Sequence, residues 1–258
     1  MSVEPPRIFT LPLFPLGSVL FPQFPLQLHI FEERYKVMIN ACIENEMPFG
    51  VILIREGREV GEPASPHDVG CVARILGVER LEDGRMNLLA VCEQRFRVLD
   101  YMEADMPYLI GRVEELDDQP VQSDVSTLIS ALSELFVRYL SLLAARAQVP
   151  MPEVDLPDDP QTLAFCVASV AMLQPLDKQQ LLEMTDTRAR LQDELRLLRE
   201  QVIELESAEA LEIDEPTDTV NDGADETVED SEFPHILIAR PVDLQSSRWK
   251  KYIHELRN

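Results

Sequence analysis

The four histidines of this sequence are the side chains best suited to bind a metal ion or to act as a general base. They are scattered along the chain, and none lies at metal-ligand spacing from a cysteine or from another histidine. Zinc sites take their ligands from short, regular spacings. The histidines are His29, His67, His235 and His254. We therefore expect no metal site.

The cysteines are the second group that could do chemistry, as nucleophiles or as a redox pair. Cys42, Cys71, Cys92 and Cys166 form no C-x-x-C pair and lie inside apolar segments. A reduced cysteine in such a segment behaves as a small hydrophobic residue, which suits a reducing cytoplasm. We expect structural cysteines, with a catalytic cysteine and a distant histidine as the alternative.

Motifs for nucleotide binding and hydrolysis are missing. No Gly-Lys dipeptide occurs, so the phosphate-binding loop G-x-x-x-x-G-K-[ST] is absent. The sequence also lacks G-x-S-x-G, G-x-G-x-x-G and H-E-x-x-H. We predict a protein that is not an enzyme and holds no cofactor, with an enzyme of unrecognised site as the rival interpretation.

Composition limits the class of partner. The chain has 258 residues, 45% of them hydrophobic, and a net charge of -24. This length and apolar content can form a sizeable core, whereas the negative charge repels nucleic acid and anionic membranes. The longest nearly apolar run, residues 163–173, is too short to cross a bilayer. We expect a soluble cytoplasmic protein.

Glycine divides the chain into two regions. Eight of the nine glycines lie at or before Gly111, and the ninth is Gly223. Because glycine suits turns and bulges and destabilises helices, this distribution predicts a β-rich first region and a helical second one.

The first region shows strand and hairpin patterns around one helix. Residues 11–30 are apolar and broken by prolines, and Tyr35, Met38 and Cys42 continue from Phe31 at helical spacing. Further strands are predicted at 49–54, 71–81, 86–92, 95–98 and 108–116, with a loop at 57–70. An Asp-Gly pair between two of these strands is typical of a hairpin. Short strands with irregular turns favour a small, partly closed barrel.

The second region predicts a bundle of four helices. Ser123 or Asp124 is the expected N-cap of the first helix, and Pro160 begins the second. A short third helix is expected at 177–184. Asp186 caps a fourth, whose apolar residues at four-three spacing we expect to pack within the bundle: Leu191, Leu195, Leu198, Val202 and Leu205.

The C-terminal part has a different composition. Residues 209–232 contain eleven acidic side chains and no Lys or Arg, which predicts a disordered linker. Residues 233–239 could form a strand, and Trp249, Tyr252 and Ile253 lie at helical spacing after it. This tail either folds back on its own domain or serves as a docking peptide.

Three blocks in the first region resemble the N-terminal domain of ATP-dependent Lon proteases, which also occurs in stand-alone proteins. The blocks are LPLFPLGSVLFP, PLQLHIFEERYKVMI and DGRMNLLAVCEQRFRV, with FGVILI between them. The helical region resembles the family through DDPQTLAFCVASVAML and LDKQQLLEMTDTRARL. The resemblance covers roughly residues 8–206 and does not extend to the family's ATPase and peptidase domains.

The resemblance implies an α+β fold with a PUA-like pseudo-barrel followed by a helical bundle. We place the β-rich part at residues 8–118, the bundle at 119–207, the acidic linker at 208–232 and the tail at 233–258. It also implies a non-catalytic module that binds unfolded or partly folded polypeptides at the junction of barrel and bundle, with a protease or chaperone as further partner. An RNA-binding PUA-like protein and an adaptor dedicated to one partner are the alternatives.

Eight residues are candidates for partner binding, and each has a structural alternative. Aromatic residues near the β entry are more often core than surface, and acidic residues in a first helical turn complement the helix dipole. The tail residues could instead pack on their own domain. The candidates are Phe14, Phe21, Phe24, Glu33, Arg34, Trp249, Tyr252 and Ile253.

Overall fold

A computed structural model describes residues 5–61, 64–103, 105–121, 123–151 and 154–213, with side chains as far as residue 208. Most of the predicted acidic linker and the whole predicted tail lie outside the described residues. The elements follow the predicted order of strands and then helices. They are β1 (Ile8–Leu16), β2 (Pro25–Ile30), α1 (Glu33–Glu44), β3 (Phe49–Glu56), β4 (Ser65–Arg80), β5 (Met86–Tyr101), β6 (Leu109–Glu115), α2 (Ser126–Arg146), α3 (Pro160–Val170), α4 (Pro175–Glu183) and α5 (Thr187–Ile213).

Five of the six strands form a closed ring. β1 pairs in parallel with β3, and the other pairings, β3 with β4, β4 with β5, β5 with β6 and β6 with β1, are antiparallel. β2 lies outside the ring and pairs with the first half of β5. This closure agrees with the predicted barrel. Among the described residues, β2 keeps one edge unpaired along its whole length, and residues 74–80 of β4 also pair on one side only, with β5.

The interior of the ring is small, and each of the five strands contributes at least one side chain to it. Those side chains are Leu11, Leu13, Ile52, Val72, Phe96 and Val113. A Cβ atom on Gly70 would lie 2.3 Å from the main-chain oxygen of Val51, and 2.8 Å from the Phe96 ring. β4 can approach β3 this closely only because Gly70 has no side chain.

The β4–β5 hairpin is longer than its sequence pattern predicts. Gly84 has a φ of 78° in the turn, as expected for the Asp-Gly pair. The loop predicted at 57–70 ends earlier, because β4 already begins at Ser65. Pro66 pairs with Ile54 at a shift in the strand register, and an irregular position of this kind tolerates a proline within a sheet.

α1 covers one outer side of the barrel. Its buried residues are Tyr35, Met38, Ile39 and Cys42, which confirms the predicted apolar stripe. Phe31 is an exception: it precedes the helix and is exposed.

The helical region forms a second core with the predicted helix order. Asp159 caps α3 by accepting a hydrogen bond from the main-chain N–H of Thr162 at 2.8 Å, and Pro160 follows it. The N-cap position of α2 is Val125, which corrects the predicted Ser123 or Asp124. The Asp124 side chain nevertheless accepts the Ser126 N–H at 2.9 Å. α5 continues to Ile213 and therefore includes residues 208–213 of the predicted linker.

One helix, α2, has the length and composition that a membrane span needs. Its buried residues include Leu132, Phe136, Tyr139 and Leu140, and they pack with residues of α3 and α5. The bundle core accounts for these buried residues of α2.

Barrel and bundle share a core. The cluster beneath α1 also contains Phe165 and Cys166 of α3, Leu181 and Leu182 of α4, and Leu197 of α5. The interior of the junction, where we predicted capture of apolar segments, is therefore packed by the protein's own side chains. Capture on the surface of the junction stays a prediction.

Candidate functional site

The described surface has a small cleft at one end of the barrel, where β1, β3 and β5 end and β4 and β6 begin. Two loops, described at residues 57–61 and 64 and at residues 102–103 and 105–108, lie there, and Ala64 and Met106 of these loops line the cleft with Arg34 and Tyr35 at the start of α1. We call this the rim cleft; it has a volume of about 150 Å³. Its lining residues are Pro15, Arg34, Tyr35, Ala64, Met106, Pro107, Tyr108 and Leu109.

Arg34 is the charged residue of the rim cleft, and its position is defined by three contacts. Its Nη2 donates to the main-chain oxygen of Glu59 at 3.1 Å and lies 3.1 Å from Oε2 of Glu32. The guanidinium also lies over the Tyr35 ring, 4.5 Å from its centroid. Its Nε–H is buried and has no partner in the described chain. A buried donor without an acceptor is unfavourable, so a ligand oxygen that reached this N–H would be bound favourably.

The loop that borders Arg34 is tied to the barrel through its own polar groups. The Glu59 carboxylate accepts the main-chain N–H of Gly17, and the Gly61 N–H donates to Glu32 at 3.4 Å. Because Glu32 contacts both Arg34 and Gly61, the start of α1 and this loop are connected by a single carboxylate. These bonds position one side of the rim cleft before any ligand binds.

The walls of the rim cleft are apolar, and several apolar side chains of the same loops face solvent. Tyr35 stacks on the buried Phe14 ring at a centroid distance of 4.2 Å. Met106 is 52% exposed, and Val60 and Met102 in the two loops are also exposed. Exposed apolar groups around a concavity are typical of a partner site, and methionine adapts to differently shaped ligands.

The tyrosines of the rim cleft are not poised for proton transfer. Burial raises the pKa of Tyr35, more than the neighbouring Arg34 lowers it. Burial also raises the pKa of Tyr108. Both hydroxyls therefore stay protonated at neutral pH, where they can donate or accept hydrogen bonds.

The structure separates the eight candidate residues into four groups. Phe14, Phe21 and Phe24 are 7%, 0% and 9% exposed and belong to the core, so their interpretation as a binding surface is corrected. Glu33 is exposed and pairs with Lys36 at 2.8 Å on the first turn of α1. Arg34 lines the rim cleft. Trp249, Tyr252 and Ile253 lie outside the described residues.

Sequence reasoning missed most of the rim cleft. Met106, Pro107 and Tyr108 form a Met-Pro-Tyr run between two strands, and an apolar run in a turn was the available signal. Ala64 and Pro15 carry no such signal, since only the ring closure brings the end of β1 next to the segment that contains Ala64.

Titratable groups also converge at the junction of barrel and bundle, in what we call the junction cluster: Arg95, Asp118 and Arg190. Arg190 binds the Asp118 carboxylate through two bonds of 2.7 and 2.8 Å, and Arg95 binds it from the other side. Arg95 also donates to the main-chain oxygens of Leu182 and Met184, both at 2.6 Å. All three side chains are buried. The cluster is inaccessible to ligands, so its role is structural.

The cysteines are buried and reduced, as predicted. Burial raises the pKa of Cys42 and of Cys166 to about 11. Burial and a hydrogen bond with Cys92 raise the pKa of Cys71. The thiolate is the reactive form, and its population at neutral pH is small for these thiols.

We expect all four thiols to react slowly with dithiobis(nitrobenzoate) at pH 8 while the protein is folded. In guanidinium chloride they should react at the rate of a free thiol, since unfolding exposes all four and removes the raised pKa of Cys42, Cys71 and Cys166. The released thionitrobenzoate absorbance measures this. A thiol that reacts at once in the folded protein would restore the catalytic cysteine as an interpretation.

Metal-binding chemistry has no counterpart in the part of the chain that the structure describes. No three histidine, cysteine, aspartate or glutamate side chains converge there as a metal site.

The comparisons with known proteins agree with the geometry. The family model described as the ATP-dependent protease La (LON) substrate-binding domain matches residues 10–200. A Lon protease of Anaeromyxobacter dehalogenans is 29% identical over 192 residues, 73% of this chain and 23% of that protein. A Lon protease of Syntrophus aciditrophicus is 26% identical over 217 residues, 81% of this chain and 27% of that protein. The chain thus spans about a quarter of the length of these relatives.

Two solved structures share the fold. The crystal structure of a Lon N-terminal domain protein from Xanthomonas campestris has a TM-score of 0.55 and 26% identity, covering 73% of this chain and 98% of that one. The N-terminal domain of a Mycobacterium avium complex Lon protease has a TM-score of 0.57 and 18% identity, covering 76% and 98%. With a family model matched over most of its described length, the chain belongs to the LON substrate-binding domain family.

Proposed function

We propose that this chain is a non-catalytic module that binds extended polypeptide segments at the rim cleft. The observation that carries the proposal is the combination of apolar walls, exposed Met106 and a buried, partner-free Arg34 N–H in one cleft. The partners we propose are unfolded or partly folded proteins, presented to a protease or chaperone.

The chemistry of the rim cleft matches a polypeptide segment. Apolar side chains of a client would contact Tyr35, Met106 and Tyr108, while a main-chain carbonyl would accept the Arg34 N–H. A volume of about 150 Å³ admits one or two side chains and no large ligand. Such a site recognises a short apolar stretch, which folded proteins bury and unfolded ones expose.

The charge of the chain supports the same class of partner. At a net charge of -24 it would repel a phosphate backbone. We therefore propose protein partners and no nucleic acid, and binding of a labelled RNA at low salt would contradict this part of the proposal.

The test is fluorescence anisotropy of a labelled, carboxymethylated lactalbumin, which stays unfolded, titrated with the full chain. We expect saturable binding, and Met106→Asp should weaken it about 10-fold or more, equivalent to about 1.4 kcal/mol. The introduced carboxylate would be desolvated against the apolar segment of the client.

The matched control is Met172→Asp. Met172 is 53% exposed, almost the same as Met106, but it follows α3 in the bundle and is not a lining residue of the rim cleft. Its substitution should leave the affinity unchanged. Equal weakening by both substitutions would indicate a general charge effect, and the absence of saturable binding by the unsubstituted chain would refute the proposal.

A further inference from the structure

The strand β2 has a free edge, and its main-chain groups there are available for pairing. In the described chain each strand of the ring pairs with at least two others, whereas β2 pairs with β5 alone. The second half of β4 also has an unpaired side, but it carries Arg74, Glu79 and Arg80 and a register shift, features that discourage strand addition.

The main-chain N–H of Cys92 donates to the main-chain oxygen of Phe24 at 3.0 Å. Phe24 and Cys92 are therefore a hydrogen-bonded pair of the β2–β5 ladder. Because hydrogen-bonded and non-bonded pairs alternate in antiparallel strands, Leu26, Leu28 and Ile30 bond to β5.

The residues between these point their main-chain groups to the open side. They are Gln27 and His29, and both are exposed. The close contact of the His29 and Asn87 side chains, 2.8 Å from Nδ1 to Oδ1, agrees with a non-bonded pair at this position. Two N–H donors and two carbonyl acceptors thus lie along the open side of β2.

This edge lacks the features that normally prevent strand addition. Natural edge strands carry lysine, bulges or internal proline to discourage pairing. β2 contains no lysine, and its register with β5 is regular from Pro25 to Ile30. Its one proline is the first residue. A regular, uncharged edge of this kind is a template for a further strand.

The inner face of the edge strand would also gain from a neighbour. Leu26 and Ile30 are buried in the core beneath α1, but Leu28 between them is only partly buried. A further strand beside β2 would place apolar side chains against Leu28 and extend the same core.

One segment of the chain outside the described residues fits this position. Residues 233–239 read FPHILIA, an apolar strand pattern about as long as β2. Residues 214–232 connect them to the end of α5 and span up to about 60 Å when extended, more than the width of a domain of this size. Residues 233–258 carry five Lys or Arg against two Asp or Glu, in a chain of net charge -24, so attraction favours docking on the chain's own acidic body.

We propose that residues 233–239 pair with the free edge of β2 as an additional strand. The pairing needs no client and no other partner, so it is independent of polypeptide binding at the rim cleft. It would protect the edge from pairing with other chains.

The test is site-resolved amide hydrogen exchange in the full chain. We compare it with a variant carrying Ile236→Pro and Leu237→Pro. Neighbouring residues of a strand direct their main-chain N–H groups to opposite sides. Two adjacent prolines therefore remove one N–H that would bond to β2, whichever of the two residues faces it. We expect the Gln27 and His29 amides to exchange about 10-fold or more faster in the variant. Without the added strand, these amides are exposed to solvent and exchange without prior separation of residues 233–239 from β2. The Leu28 amide, bonded to β5, should change much less.

The control carries Thr219→Pro and Val220→Pro, in the acidic segment, and should exchange as the unsubstituted chain does. Fast exchange of Gln27 and His29 in all three proteins would overturn the proposal. Slow exchange that persists in the Ile236 and Leu237 variant would overturn it as well. Protection that rises with protein concentration would mean that a second copy, and not residues 233–239, occupies the edge.

Discussion

Replacing Asp118 by alanine is expected to lower the free energy of unfolding by about 3–5 kcal/mol. Asp118 is the one carboxylate that lies between the guanidinium groups of Arg95 and Arg190. Its Oδ2 also accepts the Thr187 hydroxyl at 2.8 Å. Without it, two buried cations would remain close together and unpaired. Both lie over the Phe165 ring, at 5.3 and 4.4 Å from its centroid, and this contact compensates only part of the loss.

Urea unfolding followed by circular dichroism measures this effect. Asp100→Ala is the matched control, because Asp100 pairs with Arg112 on the barrel surface, where both side chains are about half exposed. An exposed ion pair contributes roughly 0–1 kcal/mol. Equal losses for the two substitutions would mean that the junction cluster does not hold barrel and bundle together.

The pH dependence of the junction cluster has a defined sign. Burial raises the pKa of Asp118, but the hydrogen bonds and charges of Arg190 and Arg95 outweigh it, and the pKa is lowered from 3.8. The stability that Asp118 contributes is therefore complete above pH 3.8 and is lost as the pH falls through the lowered pKa. In the Asp118→Ala protein this acid-induced loss should be smaller.

Replacing Glu194 by methionine is expected to stabilise the protein by about 1–3 kcal/mol at pH 8. Glu194 lies on α5, is 1% exposed, and neither carboxylate oxygen has a hydrogen-bond partner in the described chain. Burial raises its pKa well above 4.5, against the opposing charge of Arg190, and Asp193 raises it further. Cys166 on α3 is the titratable group that faces it across the helix interface.

The gain from this substitution should grow with pH. A carboxyl group whose pKa is raised by folding destabilises the folded state progressively as the pH rises above the unfolded value of about 4.3. The difference in melting temperature between Glu194→Met and the unsubstituted protein should therefore be small at pH 4 and larger at pH 8.

The control for Glu194 is Glu200→Met on the same helix, where the carboxylate is exposed and pairs with Arg196. That substitution should change stability by less than about 0.5 kcal/mol at either pH. A destabilised Glu194→Met protein would contradict the assignment and would mean that the carboxylate has a stabilising partner.

The elements with local signals were predictable. The spacing of Tyr35, Met38 and Cys42 indicated α1, and the Asp-Gly pair indicated the β4–β5 turn. Asp159 and Pro160 indicated the start of α3. Each signal depends on residues a few positions apart, whose interactions form in the isolated segment as well as in the fold. The start of β4 was missed because Pro66 is a loop signal locally, and only its pairing with Ile54 makes it part of a strand.

The rim cleft was not predictable in the same way. Arg34 was a candidate, but its position depends on Glu32 and on the Glu59 carbonyl, which both contact its Nη2 atom. Met106 reaches the same cleft only through closure of the ring between β5 and β6. The junction cluster likewise joins side chains that are far apart in the chain. The amino-acid composition does not indicate such contacts.

The sequence by itself determined the order of strands and helices, the family and the lack of recognised catalytic motifs, because periodicity, turn residues and motif spacing are local properties. Only the tertiary structure decided that Phe14, Phe21 and Phe24 are core, that barrel and bundle share a packed junction, and that β2 has an unpaired edge in the described part of the chain. Burial and strand pairing depend on contacts between distant parts of the chain, and those contacts exist only after the ring of strands has closed.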